Sequence, residues 1–255
     1  MTFVFFLFLL HASLGLLAAL ALVPDRAGAK FFKFCAASAA FMTTAGWWLL
    51  WRRGGSSPAL LWSTGAFLAL TVVYNRARHF DWRQAVAPLL WAALATGTAA
   101  VVAAEGAGPR GLLVATDLTS ALLLGAAAGA MILGHWYLVV LDLPIMALRR
   151  LTVMLVVALV LRTIVVAAVM AGPSHAGLEA ARSVAAGLWS PDGVFVWMRL
   201  LFGIAGPLSL VWFIWKTVEI RSTQSATGIL YVQLFLVMAG ELLAKYLRVA
   251  AGIPL

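Results

Sequence analysis

The sequence predicts an all-α fold, a polytopic integral membrane bundle of about eight transmembrane helices. Of its 255 residues, 64% are hydrophobic and 11% are charged, and the mean hydropathy is +1.02. Apolar runs of about 17 to 25 residues recur along the chain, which is the length needed to cross the hydrocarbon core of a bilayer. Because that core offers no water to unpaired backbone groups, such runs are expected to be helical.

Eight runs have this length, and charged residues and helix breakers separate them. The spans are predicted at Phe3–Val23, Phe34–Trp51, Pro58–Tyr74, Ala85–Ala104, Leu112–Leu133, Leu151–Gly172, Phe195–Trp215 and Ala226–Val249. The first run lacks a basic region before it, so we interpret it as a membrane helix and not as a signal peptide. The connections are too short to fold independently, so residues 1–255 are predicted to form a single transmembrane domain.

The net charge of +9 comes from Lys and Arg residues concentrated in the connections. The first, third, fifth and seventh connections hold ten of these residues, and the second, fourth and sixth hold four. The positive-inside rule then places both termini outside, in a bacterial inner membrane. No exposed basic segment with interleaved aromatic residues is long enough to bind nucleic acid, so the expected surroundings are membrane lipids.

Two local features predict how the helices pack. Gly125 and Gly129 form a face of small residues that allows a neighbouring helix to approach closely. Gly206 and Pro207 are expected to kink the seventh helix near its middle.

Seven titratable side chains lie within or at the ends of the predicted spans, where burying a charge is costly. They are His11, Asp117, His135, Arg162, Arg199, Glu241 and Lys245. A rise of about 1.5 Å per residue places five of them about 16 to 24 Å from the inner boundary of the membrane. These five are His11, Asp117, Arg162, Arg199 and Glu241, so the sequence predicts one polar layer in the outer half.

Two interpretations of this layer are open. In the first, Arg162 pairs with Asp117 or Glu241, and Glu241 pairs with Lys245, as buried ion pairs that hold the helix register. In the second, the layer is a site for a small polar headgroup or a proton, with which a carboxylate and a histidine exchange protons.

A second candidate site lies near the opposite interface. There His135 and Tyr137 close the fifth helix, with Trp136 between them. A histidine beside interfacial aromatic residues is also typical of a simple membrane anchor.

Protein-bound cofactors are not expected. Cys35 is the only cysteine, which excludes a thiolate-ligated iron–sulfur cluster and a CxxCH haem attachment. His11 and His135 are predicted at different depths, so haem b held between two histidines is not expected either. The sequence has no cluster of His, Cys and carboxylates with metal-ligand spacing.

A family resemblance rests on the first and last helices. The eight-span layout with His11 in the first helix, and the polar turn at Ala239–Tyr246 in the last, resemble the membrane-anchor subunits of polysulfide and DMSO reductases, the NrfD-like family. The resemblance implies a site for menaquinone or ubiquinone near the outer face, contacted by His11, with Glu241 and Lys245 in the polar turn. It also implies partner subunits that carry iron–sulfur clusters, molybdopterin or multihaem cytochromes, so this chain alone would not be catalytic.

The polar layer and the resemblance together predict a quinone-interacting subunit of a multi-subunit respiratory electron-transfer complex. His11 and Asp117 would handle protons, and Arg162 or Arg199 would steady a headgroup oxygen. Two alternatives stay open. A secondary or proton-coupled transporter would bind its substrate at the same layer and would need a broken helix and an inverted repeat. A structural or assembly subunit would have every polar group of the layer paired internally, with no cavity beside it.

Overall fold

The structure, a computed structural model, describes residues 1–105, 110–140, 143–171 and 193–252. Within these residues it contains eight long helices and a short 3₁₀ helix at Asp25–Ala27. The long helices are α1 (Thr2–Leu20), α2 (Ala29–Arg53), α3 (Pro58–His79), α4 (Arg83–Ala104), α5 (Arg110–Val139), α6 (Met146–Ala171), α7 (Gly193–Glu219) and α8 (Thr223–Ala251). The predicted all-α membrane bundle of about eight helices is confirmed.

Seven helices, α1 and α3 to α8, are long and apolar enough to cross a membrane. α2 has 25 residues and is also long enough, but its serine, threonine and tryptophan residues lower its hydropathy. Its outward face carries the exposed side chains of Phe34, Phe41, Trp48 and Trp51. Such a face suits contact with lipid, and the chain is an integral membrane protein.

Several helices extend beyond the apolar runs that predicted them. α6 begins at Met146, so Arg149 and Arg150 lie in its first turns, where the sequence had suggested a connection. Helical hydrogen bonding continues into the interface because long charged side chains still reach water there. The predicted end of the sixth span at Gly172 and most of the following connection lie outside the described residues.

The eight helices form two rings of four. In the first ring α1 and α3 each contact α2 and α4, and in the second α5 and α7 each contact α6 and α8. α1 also packs against α5 and α8, which joins the two rings. α1 and α5 are therefore the most buried of the spanning helices.

Glycines allow α1 and α5 to cross in close contact. A Cβ atom on Gly15 would overlap the backbone of Ala121 and Gly125, and a Cβ atom on Gly125 would overlap the backbone of Gly15. One turn further along, Gly129 lies against Ala19. The prediction that Gly125 and Gly129 admit a close neighbour is confirmed, and that neighbour is α1.

Gly125→Ala is expected to destabilise the joint between the two rings. The added methyl group must push α1 away from α5, and overpacking of this kind costs about 1 to 3 kcal/mol. Denaturation of the purified protein with SDS in mixed micelles measures the loss. The control is Gly65→Ala in α3, where a Cβ atom meets only the Trp47 indole at 3.7 Å. An equal loss for both variants would contradict the close crossing.

The middle of α7 contains a π-helical turn. This turn, Leu201–Ala205, comes directly before Gly206 and Pro207. Pro207 has no N–H to donate to the preceding turn, so the regular α-helical ladder is interrupted there. The irregularity predicted at Gly206 and Pro207 thus takes the form of a widened turn. Gly203 within it approaches Gly240 closely, so α7 and α8 meet backbone to backbone.

Candidate functional site

Glu241 of α8 is the centre of a buried ion-pair group. Arg162 of α6 binds it with both arms of the guanidinium, Nε at 2.9 Å from Oε1 and Nη2 at 3.1 Å from Oε2. Arg199 of α7 donates through Nη2 to Oε1 at 3.1 Å, and Lys245 lies 3.4 Å from Oε2. None of the four residues is more than 3% exposed. One carboxylate therefore holds three helices together through three cations.

The local structure explains how Arg162 and Arg199 reach this carboxylate. Arg162 also donates through Nη1 to the backbone carbonyl of Thr116 at 3.0 Å, which holds α6 against α5. Arg199 precedes the π turn, and its guanidinium runs through the space that a Cβ atom on Gly203 would occupy. The close approach of α7 and α8 at Gly203 and Gly240 thus brings the Arg199 side chain to Glu241.

A second group surrounds Asp117 of α5. Arg248 of α8 donates through Nη1 to both carboxylate oxygens of Asp117, at 2.8 and 2.9 Å. Its Nη2 donates to Oε1 of Glu105 at 2.6 Å. Glu105 follows the last residue of α4, and Arg248 lies in the last turn of α8. This group therefore lies where two spanning helices end.

The Glu105 and Asp117 carboxyl groups both bind the Arg248 guanidinium and therefore lie near each other. Burial and the neighbouring Asp117 carboxylate raise the pKa of Glu105 to about 7, although Arg248 opposes the shift. A carboxyl group with a pKa in this range can both take up and release a proton near neutral pH.

Two contacts connect these groups. Lys245 donates to the hydroxyl of Ser120 at 2.6 Å, one turn along α5 from Asp117. His11 of α1 places Nε2 at 3.7 Å from Oδ2 of Asp117. We refer to all eight titratable residues as the charged cluster, which consists of His11, Glu105, Asp117, Arg162, Arg199, Glu241, Lys245 and Arg248.

Some buried polar atoms of the charged cluster have no hydrogen-bond partner among the described residues. They are Nδ1 and Nε2 of His11, Nε and Nη1 of Arg199, and Oε2 of Glu105. Buried polar atoms are normally paired, so these atoms mark positions where water or a ligand atom is expected. The cluster thus offers unpaired guanidinium N–H donors on Arg199 and an imidazole, that of His11, with both ring nitrogens unpaired.

The charge balance of the cluster favours an anion. Arg162, Arg199, Lys245 and Arg248 supply four positive charges, whereas Glu105, Asp117 and Glu241 supply three negative ones. A proton shared between Glu105 and Asp117 would raise the excess of positive charge further. In a medium of low polarity such an excess lowers the cost of forming negative charge on a ligand.

The structure brings together all six residues of the principal sequence-predicted site, namely His11, Asp117, Arg162, Arg199, Glu241 and Lys245. Arg162 takes Glu241, one of the two partners considered for it, and Asp117 is bound by Arg248 instead.

Sequence reasoning missed Glu105 and Arg248. Glu105 follows the last residue of the fourth predicted span, and Arg248 lies one residue before the end of the eighth, where a charge is not forced into the interior. The available signal was a carboxylate and a guanidinium predicted at the same outer boundary.

The second predicted site is separate from the charged cluster. His135 is exposed near the C-terminal end of α5, and its Nδ1 lies 3.2 Å from the hydroxyl of Tyr231. Tyr137 donates to the carbonyl of Pro144 at 2.6 Å, which ties the chain after α5 back to the helix. His135 and Asp117 are eighteen residues apart on one helix, which corresponds to about 27 Å. The structure therefore does not bring His135 and Tyr137 to the cluster.

Comparison with known proteins gives no match for this chain, whether with protein-family models, with curated proteins or with solved structures.

Proposed function

We propose that the chain is a quinone- or quinol-interacting membrane subunit of a multi-subunit electron-transfer complex. The observation that carries the proposal is a row of protonatable groups that begins deep in the bundle and ends at its edge. His11 is fully buried, Asp117 lies beside it, and Glu105 lies at the end of α4. Such a row is what a buried redox reaction needs to exchange protons with water.

The chemistry assigned to the row is proton transfer. Oxidation of one quinol releases two electrons and two protons. His11 accepts the two quinol protons one after the other, and Asp117 stabilises the imidazolium each time. The Glu105 and Asp117 pair passes each proton to the outer boundary before His11 takes up the next. The unpaired donors of Arg199 suit a headgroup oxygen that becomes negative during the reaction.

The electrons leave through a partner. In the proposed complex an iron–sulfur, molybdopterin or multihaem cytochrome subunit accepts the electrons, and menaquinone or ubiquinone is the substrate. The NrfD-like resemblance supports this choice of partner. We place the chain in a bacterial inner membrane with both termini outside, because most connecting Lys and Arg residues then face inward. The charged cluster then lies in the outer half.

A second candidate is a structural or assembly subunit, and the tight pairing within the Glu241 group favours it. Arg162 and Lys245 both have protein partners there, and so does Arg199 through one nitrogen. If the charged cluster is purely structural, removal of the His11 imidazole is expected to change the stability of the protein. It would then leave quinol turnover by the folded protein unchanged.

His11→Gln is expected to reduce quinol oxidation by about 100-fold or more, because a positioned general base commonly contributes about 10² to 10⁴ in rate. The measurement uses the complex purified with its partner subunits from its own membrane, and follows oxidation of a short-chain quinol. The control is His79→Gln at the end of α3, whose ring contacts Phe80. Unchanged turnover in a folded His11→Gln complex would contradict the proposal.

A further inference from the structure

A groove opens between α4 and α6 at the end of the bundle opposite to the charged cluster. α4 contacts α1, α3 and α5, whereas α6 contacts α5 and α7, so α1 and α5 provide the floor between them. The groove consists of two adjoining cavities of about 720 and 620 Å³. They share Ala21, Leu22, Trp91 and Arg150 and therefore lie side by side.

The larger cavity is the polar end of the groove. Arg78 on its wall is paired with Asp25 at 2.6 Å, and Arg83 is paired with Asp81 at 3.1 Å. Arg150 also lines this cavity, and no described residue provides a carboxylate for it. The polar end therefore carries an excess of positive charge.

The smaller cavity is apolar apart from Arg149 and Arg150 at its mouth. The Arg149 guanidinium lies over the Trp215 ring at 5.5 Å, and within the described part of the chain it has no acidic partner. Along α6 the lining extends from Met146 to Ala158. That distance is about 18 Å, slightly more than half of a hydrocarbon core about 30 Å thick. The apolar cavity thus has the depth of one membrane leaflet.

We propose that this groove binds an anionic phospholipid, with the phosphate at Arg149 and Arg150 and one acyl chain in the apolar cavity. Two cations that find no acidic partner in the described part of the chain complement an anionic headgroup. The apolar cavity beneath them is useful only to a ligand that carries a hydrocarbon chain. Free phosphate would leave that cavity empty. A zwitterionic lipid has no net charge with which to balance the two arginines.

The test counts bound lipid by native mass spectrometry of the full-length chain in detergent. The chain is titrated with phosphatidylglycerol, phosphatidylcholine or inorganic phosphate. Wild-type protein is expected to bind phosphatidylglycerol more tightly than phosphatidylcholine. The double variant R149Q/R150Q is expected to bind phosphatidylglycerol about 30-fold more weakly, since each basic residue near an anionic lipid contributes about 1 kcal/mol.

The matched control is R52Q/R53Q, an adjacent arginine pair whose guanidinium groups stack on Trp48 and Phe3. It is expected to bind phosphatidylglycerol as wild type does. A second variant, Ala18→Phe, places a ring in the apolar cavity and keeps both arginines, and it is also expected to weaken binding. Equal binding of the two lipids, equal affinity in R149Q/R150Q, or competition by inorganic phosphate at the lipid concentration would overturn the proposal. None of these results depends on quinone.

Discussion

Glu241→Gln is expected to cause the largest loss of stability of any single change in the charged cluster. The substitution keeps the size of the side chain but removes a negative charge that Arg162, Arg199 and Lys245 all contact. Removing one partner of a buried ion pair costs about 3 to 5 kcal/mol, because the remaining charge cannot return to water. SDS denaturation in mixed micelles, followed by helicity, measures the loss.

Two variants make this result specific. Glu219→Gln changes an exposed glutamate that pairs with Lys216 at the end of α7, and we expect it to have almost no effect. The double variant Glu241→Gln, Arg199→Met removes one cation together with the carboxylate, and it should recover part of the lost stability. If Glu241→Gln were as stable as Glu219→Gln, the Glu241 group would not hold α6, α7 and α8 together.

Arg248→Gln is expected to make stability strongly dependent on pH. Without Arg248, the carboxyl groups of Asp117 and Glu105 face each other with no guanidinium between them. Like charges raise the pKa of Glu105 above the value of about 7 that it has beside Arg248, so the folded state binds protons more tightly than the unfolded state. Stability is then greatest below the unfolded pKa and falls as the pH rises through the folded pKa.

The expected loss for Arg248→Gln is about 1.5 to 3 kcal/mol at pH 8, the range for a hydrogen bond to a charged group, and much less at pH 5. Denaturation curves recorded from pH 5 to pH 8 measure this difference. Arg26→Gln, which changes an exposed arginine in the first connection, is the control. A loss for Arg248→Gln that is the same at both pH values would show that Arg248 does not neutralise the carboxyl pair.

Hydropathy was sufficient to predict the fold class and the burial of six titratable side chains. Charged groups inside a membrane span must turn away from lipid, so His11, Asp117, Arg162, Arg199, Glu241 and Lys245 were all expected in the interior, and all six meet there. The same reasoning fails at the ends of spans. At a boundary a charge can face either water or protein, so the sequence did not distinguish Glu105 from an ordinary connecting residue.

The partner of each charge was harder to predict, because hydropathy contains no information on which helices are neighbours. Arg162 had two carboxylates at similar predicted depth, and in the structure it binds Glu241 while Arg248 binds Asp117. The role of Gly15 was hidden for the same reason. The sequence does not show that Gly15 of α1 lies opposite Gly125 of α5, and only that contact explains why a glycine is needed there.

Photolabelling tests most directly whether a quinone headgroup binds at the charged cluster. The complex is illuminated with an azido-quinone, with and without excess unlabelled quinone, and the labelled peptides are identified by mass spectrometry. We predict competed labelling of α1 around His11 and of α8 around Glu241. Competed labelling confined to the groove between α4 and α6, or no competed labelling in this chain, would contradict such binding.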